Sequence, residues 1–228
     1  MKKSKVMLFG AMALTAGLSL AACGSSQSSN ADKTYSYIFV NNPDTLDYIT
    51  STRDSTSSIT TNLIDGLLEN DQYGNLIPSM AESWTVSKDG LTYTYKIRQG
   101  AKWYTSEGEE YADVTAHDFV TGLKYAADKK AENLYLVQDS IKGLADYVEG
   151  KSSDFGTVGV KAVDDYTLQY TLNQPETYWN SKTTASILSP VNEAFLKSKG
   201  DDFGSVTPSS ILSNGPYLFK SFTSKSLI

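Results

Sequence analysis

The chain has 228 residues, with 20 Lys and Arg against 26 Asp and Glu, one His and one Cys. One Cys excludes an internal disulfide and any Cys-based zinc site, and one His excludes multi-His metal centres and makes a Ser-His-Asp triad depend on His117. A net charge of −6 argues against a nucleic-acid partner, which needs a basic face to displace counterions.

The N-terminus is a processing signal. Lys2, Lys3 and Lys5 form a basic start, residues 6–22 are apolar or small, and Leu20-Ala21-Ala22-Cys23 follows. This is the order of a secretory signal peptide, and the run is too short and Gly-interrupted to span a bilayer. The Leu-Ala-Ala-Cys tetrad resembles the bacterial lipoprotein box, which implies lipid attachment at Cys23. Loss of residues 1–22 removes three lysines and no acid, so 17 basic residues would face 26 acids and the net charge would be −9. Two acyl chains are needed for stable anchoring. A diacylated Cys23 would supply them, with the Ser-rich residues 24–33 as a flexible tether.

Aromatic and β-branched residues 35–40 predict a first strand. Ile59, Leu63, Ile64 and Leu67 stand at helical spacing within 57–69, and residues 70–79 form a turn-rich connector. Leu91, Tyr93, Tyr95 and Ile97 alternate with polar residues, the pattern of a half-buried strand. Asp89-Gly90 before it predicts a hairpin with the segment around Trp84–Val86. Thr115 with Asp118 forms a capping-box pattern that opens a helix with Phe119, Val120, Leu123 and Ala127 on its buried face. A second helix is expected over 133–148, with Leu134, Val137, Ile141, Leu144 and Val148 on one side. Residues 158–163 and 166–172 predict two strands around Asp164-Asp165. A helix is expected from Ser189-Pro190 to Lys199, closed by Gly200, and a last strand over 216–222. The class is α/β in the mixed sense, with strands and helices interspersed and no internal repeat.

The chemistry-bearing residues point away from catalysis. His117 falls near a helix start, where the helix dipole disfavours its charged form, and reads as structural or solvent-facing. Glu107, Glu109, Glu110 and Asp113 lack the spacing of a calcium loop and read as a solvated acidic stretch. Residues 156–159 lack the Gly-Lys-Ser/Thr of a phosphate loop. The 15 Tyr and 3 Trp suit binding surfaces, although Tyr93, Tyr95, Tyr166 and Tyr170 fit half-buried strands. No cofactor, metal or catalytic residue is expected.

Several blocks carry a family resemblance. They are Pro43-Asp44-Thr45-Leu46-Asp47 (followed by Tyr48 where the pattern usually has Pro), Asp65-Gly66-Leu67-Leu68-Glu69, residues 74–84 and 90–103, residues 114–120, residues 164–175, and Ser213-Asn214-Gly215-Pro216-Tyr217. In this order, behind a lipobox, they resemble the extracellular solute-binding proteins of family 5, of the Gram-positive oligopeptide-binding lipoprotein type. The resemblance implies a periplasmic-binding-protein type II (Venus-flytrap) fold, here incomplete and lacking the second lobe. Residues 35–50 plus 155–228 would form lobe I, and 51–154 an extra domain inserted in it. It also implies oligopeptides as ligands, ABC-transporter permease subunits as partners, and a monomer anchored by its lipid to the outer face of the cell membrane.

By the same resemblance, Thr52, Arg53 and Asp54 would contact the ligand's main chain or amino end. Tyr135 would be an aromatic at the cleft, and Asn214-Gly215 would lie near the lobe crossover. The end at Ile228 reads as that of a fragment, so a truncated surface lipoprotein without ligand binding is the competing expectation. A secreted hydrolase rests only on unassigned carboxylates. Lobe I of the family is discontinuous, so its sheet is expected to lack a returning strand and to expose an apolar edge.

Overall fold

Alternating side chains build the centre of the molecule. The computed structural model describes Ile38, residues 41–223 and residues 226–227, and residues 40–228 form one unit. The expected signal peptide, Cys23, the tether and the 35–40 strand lie outside the described residues, Ile38 excepted. Strands β3 (Ala81–Val86) and β4 (Thr92–Ile97) pair antiparallel, as the Asp89-Gly90 signal predicts. Gly90 takes a φ of 72°, and the Asp89 carboxylate accepts from the Leu91 N–H, which closes the turn.

Further along the chain, Val160–Asp164 and Thr167–Thr171 also form an antiparallel pair. With the intervening hairpin β5 (Lys102–Tyr104) and β6 (Glu110–Asp113) counted first, they are β7 and β8. β8 lies against β4, so the four-stranded sheet runs β3-β4-β8-β7. Strands from both sides of the expected 154/155 division therefore share one sheet.

The period of two decides which face is dry. Tyr93, Tyr95 and Ile97 are buried in β4, as are Leu168 and Tyr170 in β8, while Lys96 points to solvent. Tyr93 sits opposite Tyr170, and Tyr95 opposite Leu168. Trp179, fully buried, packs on this face with ring centroids 5.3 Å from Tyr170 and 6.1 Å from Tyr93. Each such aromatic contributes ~2–3 kcal/mol through burial alone. Tyr95 Oη donates to Asn180 Oδ1 at 2.6 Å, whereas Tyr170 Oη and Trp179 Nε1 have no hydrogen-bond partner among the described residues.

The expected capping box forms. Asp118 Oδ2 accepts from the Thr115 N–H at 2.8 Å and from Trp103 Nε1 at 3.1 Å. The helix it opens covers Ala116–Asp128, with Phe119, Leu123 and Ala127 buried and Val120 half-buried, and packs against β7, β8 and a 3-10 turn at Ser186–Leu188. A Cβ on Gly122 would come within 2.2 Å of the Ser189 carbonyl oxygen, so only Gly permits this approach. Burial pushes the Asp118 carboxyl up to about 6, against the pull of its hydrogen bonds from Thr115 and Trp103 and of nearby His117.

Five expected elements differ from the observed ones. The helix placed at 57–69 is α1, Asp54–Thr60, which precedes all the strands. Ile59, Leu63, Ile64 and Leu67 are all buried, but Leu68–Asn70 is β1. It pairs with β2, Leu76–Pro78, so the connector at 70–79 is a hairpin around an Asp71–Asn75 turn.

The helix at 133–148 is two short pieces, a 3-10 turn at Glu132–Leu136 and a helix at Leu144–Val148. Between them the backbone is captured by the end of β8. Lys142 N donates to Thr171 O, Asn173 N donates to Ser140 O, and Ile141 bridges Leu172. Gly143 then takes a φ of 71°. The apolar spacing was met by burial without a continuous helix.

The helix expected from Ser189 begins at Glu193 instead, because Val191 N donates to Asp118 O and Asn192 supplies the cap through its side chain. Residues 217–221 are not a strand. Pro216 has no N–H, and Tyr217 N makes a single bond to Asn62 O. Only Phe222–Thr223 pairs, with Ser226–Leu227, in a separate two-stranded ribbon. Among the described residues, no helix is long and apolar enough to cross a membrane.

Candidate functional site

The segment that precedes α1 is held from below by one buried carboxylate. Asp47 Oδ1 accepts from the N–H groups of Ile49 and Thr50, and Asp47 Oδ2 accepts from the Tyr125 hydroxyl at 2.9 Å. Ser51 N donates to Asp47 O. Thr56 Oγ1 donates to Thr45 O and accepts from Ser51 Oγ, which in turn accepts from Arg53 N. These short-range polar contacts present Thr52, Arg53 and Asp54 on the surface, with Arg53 in extended conformation at the cap of α1.

The result is an open groove of about 560 Å³ lined by Asn41, Asn42, Asp44, Arg53, Asp54 and Ser55. Its charged groups meet solvent. Arg53 Nε lies 2.9 Å from Asp44 Oδ2, with both side chains more than half exposed. Such a pair is worth under about 1 kcal/mol, so its members are available to exchange partners.

Thr52 Oγ1 donates to Glu132 Oε2 at 3.2 Å, which ties the loop to the 3-10 turn carrying Tyr135. Tyr135 is 74% exposed, and Leu136 beside it is 36% exposed. Thr52 and Tyr135 are not among the residues that line the groove, but an aromatic ring in water offers rigid contact area at small entropic cost. The structure thus brings the Thr52–Asp54 loop and the Tyr135 turn together.

Asn214 and Gly215 do not line that groove. Asn214 Oδ1 accepts from Asp65 N, and its Nδ2 donates to Asp65 O. Asn214 N and Gly215 N both donate to Leu63 O. A Cβ on Gly215 would come within 2.9 Å of the Leu63 carbonyl carbon, so the Gly is required for the backbones to meet. This pair clasps residues 63–65.

His117 is exposed, with Nε2 at 3.3 Å from Asp165 Oδ1. In the acidic stretch, Asp113 and Glu110 lie within ion-pair distance of Lys102. Among the described residues, no cluster of three or more His, Cys, Asp or Glu is arranged to hold a metal. Asp44 and Glu132 belong to the site although nothing in their local sequence distinguishes them from other surface acids. Their signal is the partner each meets across the fold, Arg53 and Thr52.

Comparison with known proteins follows the same lines. The profile of bacterial extracellular solute-binding proteins, family 5 Middle, matches residues 75–228. Oligopeptide-binding protein AliB of Streptococcus pneumoniae is 66% identical over 226 residues, covering 99% of this chain and 34% of AliB. Oligopeptide-binding protein SarA of Streptococcus gordonii is 64% identical over 236 residues, covering all of this chain and 36% of SarA. Among solved structures, Listeria monocytogenes OppA bound to peptide superposes with a TM-score of 0.72 at 33% identity, over 80% of this chain and 35% of that one. The chain spans about a third of the length of these relatives.

Proposed function

The chain belongs to the bacterial extracellular solute-binding proteins of family 5, and on that footing we propose that it is a peptide-binding lipoprotein component of an oligopeptide ABC importer. Family and fold class agree, since its solved relatives are oligopeptide-binding proteins of the same mixed α/β architecture. In this reading the chain supplies the surface of lobe I that faces an extracellular peptide, which is then passed to permease subunits. Residues 35–50 and 155–228 are assigned to lobe I and 51–154 to the inserted domain. The shared sheet of β3, β4, β7 and β8 ties the two assignments into one body.

The observation that carries the proposal is the solvent-facing groove at Arg53 and Asp54, with exposed Tyr135 on a turn joined to the same loop. Arg53 and Asp54 offer one charge of each sign to peptide termini. Thr52 offers a hydroxyl, and Tyr135 a face for a side chain or a peptide plane. Asn214 and Gly215 act indirectly, by holding residues 63–65 in place. Cys23 is proposed as the lipid-bearing residue that keeps the protein on the outer face of the membrane.

Calorimetry with a pool of short peptides tests the ligand reading. We expect saturable binding by residues 24–228 that falls at least tenfold in Tyr135→Ala and several-fold in Arg53→Ala. Binding of equal strength in both variants would sink the assignment of this groove. Cell fractionation tests the anchor, with Cys23→Ala expected to leave the membrane fraction.

A further inference from the structure

A second cavity carries an unbalanced charge. It measures about 200 Å³ and lies where the end of α1 and β1 meet residues 184–189. Asp65 and Glu69 both line it, and neither carboxylate has an ion-pair or hydrogen-bond partner among the described residues. No Lys or Arg lines the cavity. Asp65 is half-buried, and its carboxyl is pushed above its ordinary value, first by burial and then by the Glu69 charge. A carboxylate in that position is stabilised by any cation that enters.

An independent observation concerns the hydroxyls. Ser79 and Ser189 line the same cavity and are only 8% and 7% exposed. Neither hydroxyl has a hydrogen-bond partner among the described residues, although each retains two lone pairs and a proton. Neither oxygen is sealed from solvent, so both hydroxyls share one open space with the two unpaired carboxylates, and no cationic side chain lines it. The Asn214-Gly215 clasp gives this arrangement its rigidity. It grips the backbone of Asp65 from both sides, and a Cβ at Gly215 would stand 3.1 Å from Asp65 Oδ1.

We propose that this cavity binds a primary alkylammonium group, with Asp65 as its counter-ion, Glu69 adding long-range attraction, and the Ser79 and Ser189 hydroxyls accepting its remaining protons. An ammonium has three donors and no acceptor, which matches this set. A hard dication matches it less well, because it takes six or more oxygens and the cavity supplies two carboxylates. The volume holds a few heavy atoms beyond the ammonium, at about 30 Å³ for each water-sized group. That is the size of a peptide amino end or a lysine side chain. The site is separate from the Arg53 groove, and its occupancy does not depend on peptide binding there.

The experiment is an amide NMR titration of residues 24–228 with n-butylammonium chloride, against sodium chloride at equal ionic strength. Saturable shifts are expected at Asp65, Gly66, Ser79 and Ser189. The apparent Kd should rise at least tenfold in Asp65→Asn and about threefold in Glu69→Gln, whose exposed side chain leaves folding intact. Tyr135→Ala and Arg53→Ala should titrate as the parent does, which separates this site from the groove. Shifts that sodium or calcium chloride reproduce, or that persist unchanged in both acid variants, overturn the proposal. Two further probes identify the natural source of the ammonium. Ala-Ala-Ala-amide reports on amino ends and N-acetyl-Ala-Lys-Ala-amide on lysine side chains. Shifts by either peptide at Asp65 and Ser189 that weaken in Asp65→Asn and persist in Arg53→Ala support the site, and the absence of such shifts with both peptides and with butylammonium refutes it.

Discussion

Around the helix at Ala116–Asp128, polar groups find partners inside the protein, whereas in the loop at residues 51–54 the charged groups reach outward. Asp118 accepts from Thr115 and Trp103, and its own carbonyl accepts from Val191. The Arg53 guanidinium, by contrast, pairs among the described residues with an exposed carboxylate. The first region gains by removing water, and its interactions are strong because the surroundings are dry. The second keeps its charges solvated, so each interaction is weak and replaceable. One region therefore holds the fold, and the other is free to exchange solvent for a ligand.

The sharpest way to break this contrast is to empty the dry side. Trp179→Ala removes the ring that packs on Tyr93 and Tyr170, and we expect a loss of about 4 kcal/mol in urea denaturation. A loss under about 1 kcal/mol would mean that the aromatic face is not the core.

Next in size is the ionisation of Asp118. Its carboxyl titrates at about 6 in the folded protein against an ordinary 3.8, so the folded state binds more protons between those values. Stability then falls as pH rises through that window, and the full cost, on the order of 2–3 kcal/mol, is present at neutral pH. Asp118→Asn should gain on the parent by that amount between pH 4 and pH 7. Turn carboxylates such as Asp71, Asp89 and Asp164, lowered by their hydrogen bonds, act in the opposite direction but cancel in the difference. A pH-independent gap between the two proteins would remove Asp118 from the account.

A smaller effect has the opposite sign. The Tyr170 hydroxyl is buried without a partner, so Tyr170→Phe should raise stability by about 1 kcal/mol while keeping the ring contacts. A loss in the same melt would reveal a bridging water. The smallest effect belongs to the wet side. Arg53→Ala should change stability by under about 0.5 kcal/mol, and a larger change would make that ion pair structural.

How much of this was legible depends on whether the cause is local. The Thr115–Asp118 cap, the Asp89-Gly90 hairpin and the alternation of Tyr93, Tyr95 and Ile97 are written within a few residues, and all appear in the fold. The loop carrying Thr52, Arg53 and Asp54 reached notice through family resemblance, and its meeting with Glu132 joins residues 80 positions apart. The Asp65 cavity gave less warning still. Asp65 sits among apolar residues, but nothing nearby indicates that residues 184–189 will close over it.

Membership of the family, the mixed α/β class and the buried identity of Leu134, Val137, Ile141 and Leu144 follow from residue types in order. Whether those four lie on one helix does not. Apolar spacing says which side chains leave water, because transfer free energy belongs to the side chain. The path of the backbone between them was settled by partners far away in the chain, when the end of β8 offered Lys142 and Ser140 hydrogen bonds that a helix would have had to supply locally. The Arg53 groove and the Asp65 cavity arise in the same way, from surfaces that exist only once distant segments have met.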